Sequence, residues 1–229
     1  MMTVLSDLFH LFYPKLCACC DEQLTKNEIV VCTICRNDLP LTSITNYTDN
    51  KIKDAFYGKV LIHKAFSLLF YRKENSTKKL IQELKYKGNE EISSFFGNWL
   101  GELLKENQEF NDVDYVIPVP LHQKRFKERG YNQVTKMGEC LQHHLNIPFL
   151  EDKLIRVSST KTQTLKSRFE RFTNLETKFV LNGKQLFLNK HVLLIDDVIT
   201  TGATLEACAK EFSEIKGCKI SVLTMAYTE

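Results

Sequence analysis

Apolar positions along the chain switch between two periods. Four runs have the length and content of buried strands: Ala65–Tyr71, Tyr115–Val119, Val192–Ile195 and Ile220–Met225. Between them apolar residues recur at three- and four-residue spacing, which predicts helices. One carries Leu80, Ile81 and Leu84, with Ser76 or Thr77 as its cap and Gly88 past its end. A longer one carries Ile92, Phe95, Phe96, Trp99, Leu100, Leu103 and Leu104. Two more carry Val134, Met137, Leu141 and Leu145, and then Leu205, Cys208, Ala209 and Phe212. Strands alternating with helices predict a mostly parallel sheet with helices on both faces. Ahead of all this, Val4, Leu5, Leu8, Leu11 and Phe12 fall on one side of a helix, which is expected to pack on its own protein. The organisation expected is a helix and cysteine module over 1–45, a linker over 46–62 and an α/β domain over 63–229.

Composition narrows the class. A chain of 229 residues with 43% hydrophobic residues suits one ordinary domain plus a small appendage. The formal charge of +3 neither demands nor excludes a polyanion, so such a site must show as a local cluster. No stretch approaches the ~20 apolar residues of a membrane span. The opening has no basic n-region and no small-residue cleavage site, so a cytoplasmic protein is expected rather than a secreted one. Of the eight cysteines, Cys140, Cys208 and Cys218 sit alone in apolar surroundings, and the clustered pairs are read as metal ligands in a reducing cytosol, not disulfides.

Five of the eight lie between Cys17 and Cys35. Cys17-x-x-Cys20 and Cys32-x-x-Cys35 are two chelating pairs eleven residues apart, which suits one tetrahedral zinc. Four thiolates leave no open position, so that zinc is structural. Cys19 is a spare thiol that could stand in for Cys20, and a redox dithiol is the competing reading.

The segment Val192–Thr204 carries the most chemistry. A buried strand ends at two carboxylates, and a loop of small residues leads into a helix. That is where an open α/β sheet binds ligand. Backbone N–H groups and the helix dipole favour an anion there. Thr200, Thr201 and Thr204 add hydroxyls, and Gly202 lets the backbone approach a phosphate monoester. Asp196 and Asp197 would repel that phosphate. They fit better as acceptors for two neighbouring sugar hydroxyls, or as outer groups near Mg²⁺. The segment closely resembles the phosphoribosyl pyrophosphate motif of type I phosphoribosyltransferases. The resemblance implies that Asp196 and Asp197 hold the ribose hydroxyls. It implies equally that Val198, Ile199, Thr200, Thr201, Gly202, Ala203 and Thr204 cradle the 5′-phosphate.

Two basic stretches accompany it. After Pro118-Val119-Pro120 come Lys124, Arg125, Lys127 and Arg129 against Glu128 alone. Residues 153–171 hold Lys153, Arg156, Lys161, Lys166, Arg168 and Arg171 against Glu170, and read as a mobile lid. The order is distinctive: the cysteine pairs, Leu84-Lys85-Tyr86-Lys87-Gly88, Pro118 through Gln133, Arg156 through Asn174 with Thr162 and Gln163, and Ile195 through Thr204. In that order the chain resembles the ComF family of competence-associated proteins over nearly its whole length. The resemblance implies a zinc module joined to a type I phosphoribosyltransferase-like domain, with Arg125, Arg129, Asn132, Gln133 and Gln163 in the site. Two functions follow as expectations. One is phosphoribosyl transfer, with Arg125, Arg129, Lys161, Lys166, Arg168 and Arg171 neutralising Mg²⁺-pyrophosphate. The other is a non-catalytic module for single-stranded DNA that keeps the phosphate site as a sensor or structural site, with Phe126 and Tyr131 offered for stacking and Phe169 and Phe172 read first as core. Single-stranded DNA and competence proteins such as a DNA-translocating helicase are the partners implied.

Overall fold

All four apolar runs pair into one sheet. The computed structural model describes residues 14–72, 76–157 and 178–228. Its strands, in chain order, are β1 (Ala65–Tyr71), β2 (Tyr115–Pro118), β3 (Leu154–Val157), β4 (Lys178–Leu181), β5 (His191–Ile199) and β6 (Lys219–Thr228). The sheet order is β1–β6–β5–β2 and every pairing in it is parallel, while β3 and β4 form a separate antiparallel pair. The described helices are α1 (Thr33–Asn37), α2 (Lys51–Asp54), α3 (Ser76–Tyr86), α4 (Glu91–Asn107), α5 (Gln123–Arg129), α6 (Thr135–Leu145) and α7 (Ala203–Ser213), with a 3-10 turn at Lys184–Phe187.

Central β5 is buried along its apolar length because both faces are covered. Leu193 and Ile195 join Leu223, Met225 and the inner residues of α3, α4 and α6. Val192 and Leu194 point the other way, into a second core with Leu205, Cys208 and Phe212 of α7 and Leu154, Phe179 and Leu181 of the β3–β4 pair. The α4–α6 contact is unusually close. A Cβ added to Gly97 of α4 would lie 2.8 Å from the Met137 backbone and 2.7 Å from Cys140 Cβ.

Three features depart from the pattern reading. Strand β5 runs four residues past Ile195, because Val198 and Ile199 keep pairing with Ala226 and Tyr227. The polar stretch 46–62 is built into the body: Ile52, Phe56 and Ile62 are buried in the α7-side core. Its polar residues make turns and caps, with Asn46 accepting from Thr48 and Asp49, and Asn50 capping α2. The second basic stretch opens with β3, where Arg156 pairs across to Phe179. Residues 158–171, and the helix expected from Val4 to Phe12, lie outside the described residues.

The cysteine module shares the first core, contributing Cys17, Ala18, Val30, Val31, Cys32 and Leu39 beside Phe66 and Leu68. Residues 40–42 then run along the outer side of β1, where Phe70 N donates to Pro40 O (2.8 Å) and Thr42 N to Leu68 O (3.0 Å). On the opposite edge Val116 N donates to Pro148 O and Leu150 N to Val116 O, both at 2.9 Å.

Candidate functional site

Two constellations stand out, one in the N-terminal module and one at the carboxyl edge of the sheet. The sulfur atoms of Cys17, Cys20, Cys32 and Cys35 all lie within 4.8 Å of one another. Thiolates ~2.3 Å from a tetrahedral zinc stand ~3.8 Å apart, and the Cys20 and Cys32 sulfurs are separated by 3.8 Å. The set therefore fits a metal such as zinc, and Cys20, not Cys19, completes it. Each pair sits on a tight knuckle. Cys19 N and Cys32 N donate to Cys17 Sγ (3.4 and 3.3 Å), and Cys35 N donates to Cys32 Sγ (3.5 Å). Burial alone would raise the Cys17 thiol, but backbone N–H groups outweigh it and bring it down to about 7. Burial pushes Cys19 up to about 12. Glu28 clasps the knuckles together, accepting from backbone N and hydroxyl of both Thr25 and Thr33. The module is fastened to the helices by Lys79, which donates to Cys19 O (3.0 Å) and Asp21 (2.7 Å), and by Arg36 stacked 4.7 Å over Trp99.

At the carboxyl edge, β5 ends at Ile199 and Thr200-Thr201-Gly202 lead into α7. Gly202 is buried and adopts φ 77°, the left-handed conformation that turns the chain from strand to helix. Thr200, Thr201, Ala203 and Thr204 are exposed. The first N–H groups of α7 have no partner inside the helix, and Asp196 with residues 198–205 line a hollow there. Of the residues named for a phosphate, Thr200, Thr201, Gly202, Ala203 and Thr204 come together on this turn, while Val198 and Ile199 line the same hollow from the end of β5.

The two carboxylates do not share that hollow. Successive strand side chains point to opposite faces, and here the split is complete. Asp196 lies on the α7 face, within electrostatic reach of Arg156. Asp197 is buried on the other face, where Lys85 of α3 approaches Oδ1 to 2.9 Å. Although Asp196 is only half-buried and borders the hollow, the packing around its carboxyl, followed by the charge of Asp197, pushes it up to about 8. Lys85 is the site residue the pattern reading quoted without giving it a role. The available signal was a cation in the last turn of a helix ending at the ligand edge.

Basic helix α5 follows β2 directly, with His122 Nδ1 accepting from Lys124 N (3.2 Å) as its cap. Arg125 is exposed and near enough to Arg156 to repel it. Arg129 turns back, donating to Gln133 Oε1 (2.7 Å) and lying 5.3 Å over the Tyr86 ring. Asn132 and Gln133 are placed in the scaffold behind the loop. Asn132 donates to Val119 O (3.0 Å), and Gln133 O accepts from Ser93 Oγ (2.6 Å). Tyr131 OH donates to Leu84 O, tying the same segment to the end of α3. Lys161, Gln163, Lys166, Arg168, Phe169, Arg171 and Phe172 lie outside the described residues.

The raised Asp196 carboxyl has a measurable consequence. A carboxyl that holds its proton more tightly when folded contributes most below the ordinary carboxylate range, and that contribution is lost as pH rises toward about 8. Ligand-free wild type is therefore expected to lose stability relative to Asp196→Asn between pH 5 and pH 8. Calorimetric melting of both proteins across that range checks it, and parallel profiles would contradict the raised carboxyl.

No protein-family model matches the chain. Curated homologues do. It is 37% identical over 123 residues to competence protein F of Haemophilus influenzae, covering 53% of this chain and 54% of that one. It is 28% identical over 215 residues to competence protein ComFC of Bacillus subtilis, covering 91% and 81%. It is 31% identical over 134 residues to the DNA utilization protein YhgH of Escherichia coli K12, covering 57% and 58%. The chain thus spans little more than half the length of two of these relatives. Among solved structures it aligns with glutamine phosphoribosylpyrophosphate amidotransferase from B. subtilis, at 18% identity and a TM-score of 0.42 over 62% of this chain and 30% of that one. It also aligns with adenine phosphoribosyltransferase from Leishmania tarentolae, at 14% identity and a TM-score of 0.35 over 62% and 73%. The expected class, a parallel sheet flanked by helices behind a four-cysteine module, stands on the strands and helices themselves. No described helix is long and apolar enough to cross a membrane.

Proposed function

We propose, taking its homology to competence protein F, ComFC and YhgH as the premise, that this chain binds Mg²⁺-phosphoribosyl pyrophosphate and serves the uptake or utilisation of DNA. The observation that carries the reading is the hollow where a strand carboxylate, a threonine-rich turn and the N-terminus of α7 meet. A 5′-phosphate there takes backbone N–H groups and threonine hydroxyls at the positive end of the helix dipole. Asp196 and residues 198–204 are the ligand-holding set, with Asp196 accepting from a ribose hydroxyl and Asp197 standing behind it on the opposite face of β5. Arg125, Arg129, Lys166 and Arg168 supply the charge that a departing pyrophosphate needs, which is positioning and electrostatics more than acid–base work. The four thiolates hold a structural zinc. Calorimetric titration of the full chain with Mg²⁺-phosphoribosyl pyrophosphate tests this, followed by product analysis against nucleobases and amines. Saturable binding is the expected result, and no heat together with no shift in melting would refute the reading.

A second reading, direct contact with single-stranded DNA, is favoured by one observation. Helix α5 presents Lys124, Arg125 and Lys127 to solvent around Phe126, which is 51% exposed. Cations beside an exposed ring are what a stacked single strand uses. About four phosphate contacts predict a log–log salt slope of roughly −3. Charge reversal to Glu at Arg125, Arg129, Lys166 and Arg168 is expected to abolish that binding. A slope near zero would leave the small-molecule site alone.

A further inference from the structure

Adjacent acidic residues at the end of a sheet strand invite the assumption that they work together on one ligand. Here they are separated by the sheet. Asp196 lines the hollow with the threonine turn, whereas Asp197 does not. Asp197 instead meets Lys85 at 2.9 Å, with both side chains largely sheltered at 13% and 23% exposure. Lys85 belongs to the last turn of α3, and its neighbours are held too. Leu84 O accepts from Tyr131 OH, and the Tyr86 ring lies under Arg129. Gly88, just beyond, adopts φ 72° to turn the chain toward α4. The ion pair is thus one of three fastenings that bind the end of α3 to the carboxyl edge of the sheet and to the basic segment.

We infer that the two acids divide the labour: Asp196 accepts from the ligand, while Asp197 with Lys85 forms a strut that positions the α3 end beside the site. The inference rests on the ligand reading above and assigns distinct roles within it. A sheltered ion pair couples two elements, since removing either partner strands the other and removing both costs little more than removing one. A residue that meets ligand behaves differently, because its loss lowers affinity without lowering the melting temperature.

The experiment compares Asp196→Asn, Asp197→Asn, Lys85→Met, Lys85→Arg and the Asp197→Asn/Lys85→Met double variant in the full chain. Melting temperature and Mg²⁺-phosphoribosyl pyrophosphate affinity are read for each. Asp196→Asn is expected to weaken binding at least tenfold with no loss of melting temperature at pH 8. Asp197→Asn and Lys85→Met are expected to melt lower by equal amounts, the double variant no lower than either, and Lys85→Arg close to wild type. Their affinity losses should match each other and stay at least fivefold smaller than that of Asp196→Asn. An Asp197→Asn affinity loss equal to that of Asp196→Asn would overturn the division, as would additive melting losses in the double variant. Failure of the wild type to bind at all would sink the ligand reading instead, and the melting cycle would still decide the strut.

Discussion

Cys32→Ser is expected to empty the four-thiolate site and to lower the melting temperature of the whole chain by at least ~10 °C. Structural zinc in small finger domains contributes roughly 10–16 kcal/mol at neutral pH, as much as the ~5–15 kcal/mol net stability of a typical domain. The effect should reach beyond the module because the module has no core of its own. Cys17, Ala18, Val30, Val31, Cys32 and Leu39 are buried in the same cluster as β1, α3 and α4. A loss of only ~4 kcal/mol would produce such a shift in a chain of this length. Elemental analysis should give one zinc per wild-type chain, and calorimetry with a strong chelator should reproduce the variant's lower melting. Zinc retained at full stoichiometry in Cys32→Ser would remove the assignment, and unchanged melting after chelation would remove the shared-core argument.

The second large effect belongs to Gly97→Leu, expected to cost about 3 kcal/mol, the upper end of typical overpacking losses. A Cβ at this position already meets Met137 backbone and Cys140 Cβ below 3.0 Å, so the two helices must separate. Gly101 is in the same row four residues on, where a Cβ would strike His144 at 2.7 Å. Because α6 follows the basic segment directly, the displacement should also loosen Gln133, whose carbonyl is held by Ser93 of α4. Thermal melting measures the cost, with Glu102→Ala on the exposed side of the same helix as the control. A Gly97→Leu protein that melts like wild type would show the helix pair to be compliant.

These glycines mark where reading the chain stopped. All four sheet strands and the helices of the flanking layers were legible, since burial on both faces writes itself as unbroken apolar runs. Ala65–Tyr71 matches its strand to the residue. The zinc-type cysteine pairs and the strand–turn–helix around Gly202 were legible because their chemistry is local. What was hidden depends on partners distant in sequence. The Lys85–Asp197 pair spans 112 positions, and the close approach at Gly97 needs a helix some forty residues away. The direction of Asp197 was hidden for another reason. Val198 and Ile199 extend β5, so the acids obey strand alternation rather than facing out of a loop together. Polar residues at 46–50 looked like a tether because caps and solvated linkers draw on the same amino acids.

If the four thiolates hold the proposed zinc, the strip at residues 40–42 would tie metal status to solubility. It lies against the outermost strand and occupies backbone groups that would otherwise template another chain. The far side is guarded by residues 148–150, which follow α6 and owe nothing to the cysteines. Removal of the proposed zinc is therefore expected to be asymmetric in its hazard, with one margin still shielded and the other, Ala65–Tyr71, uncovered. That strand is seven residues long, contains no proline, and is uncharged throughout. Aggregates formed after chelation should grow from this single margin, so charge placed on it would slow precipitation without restoring the fold.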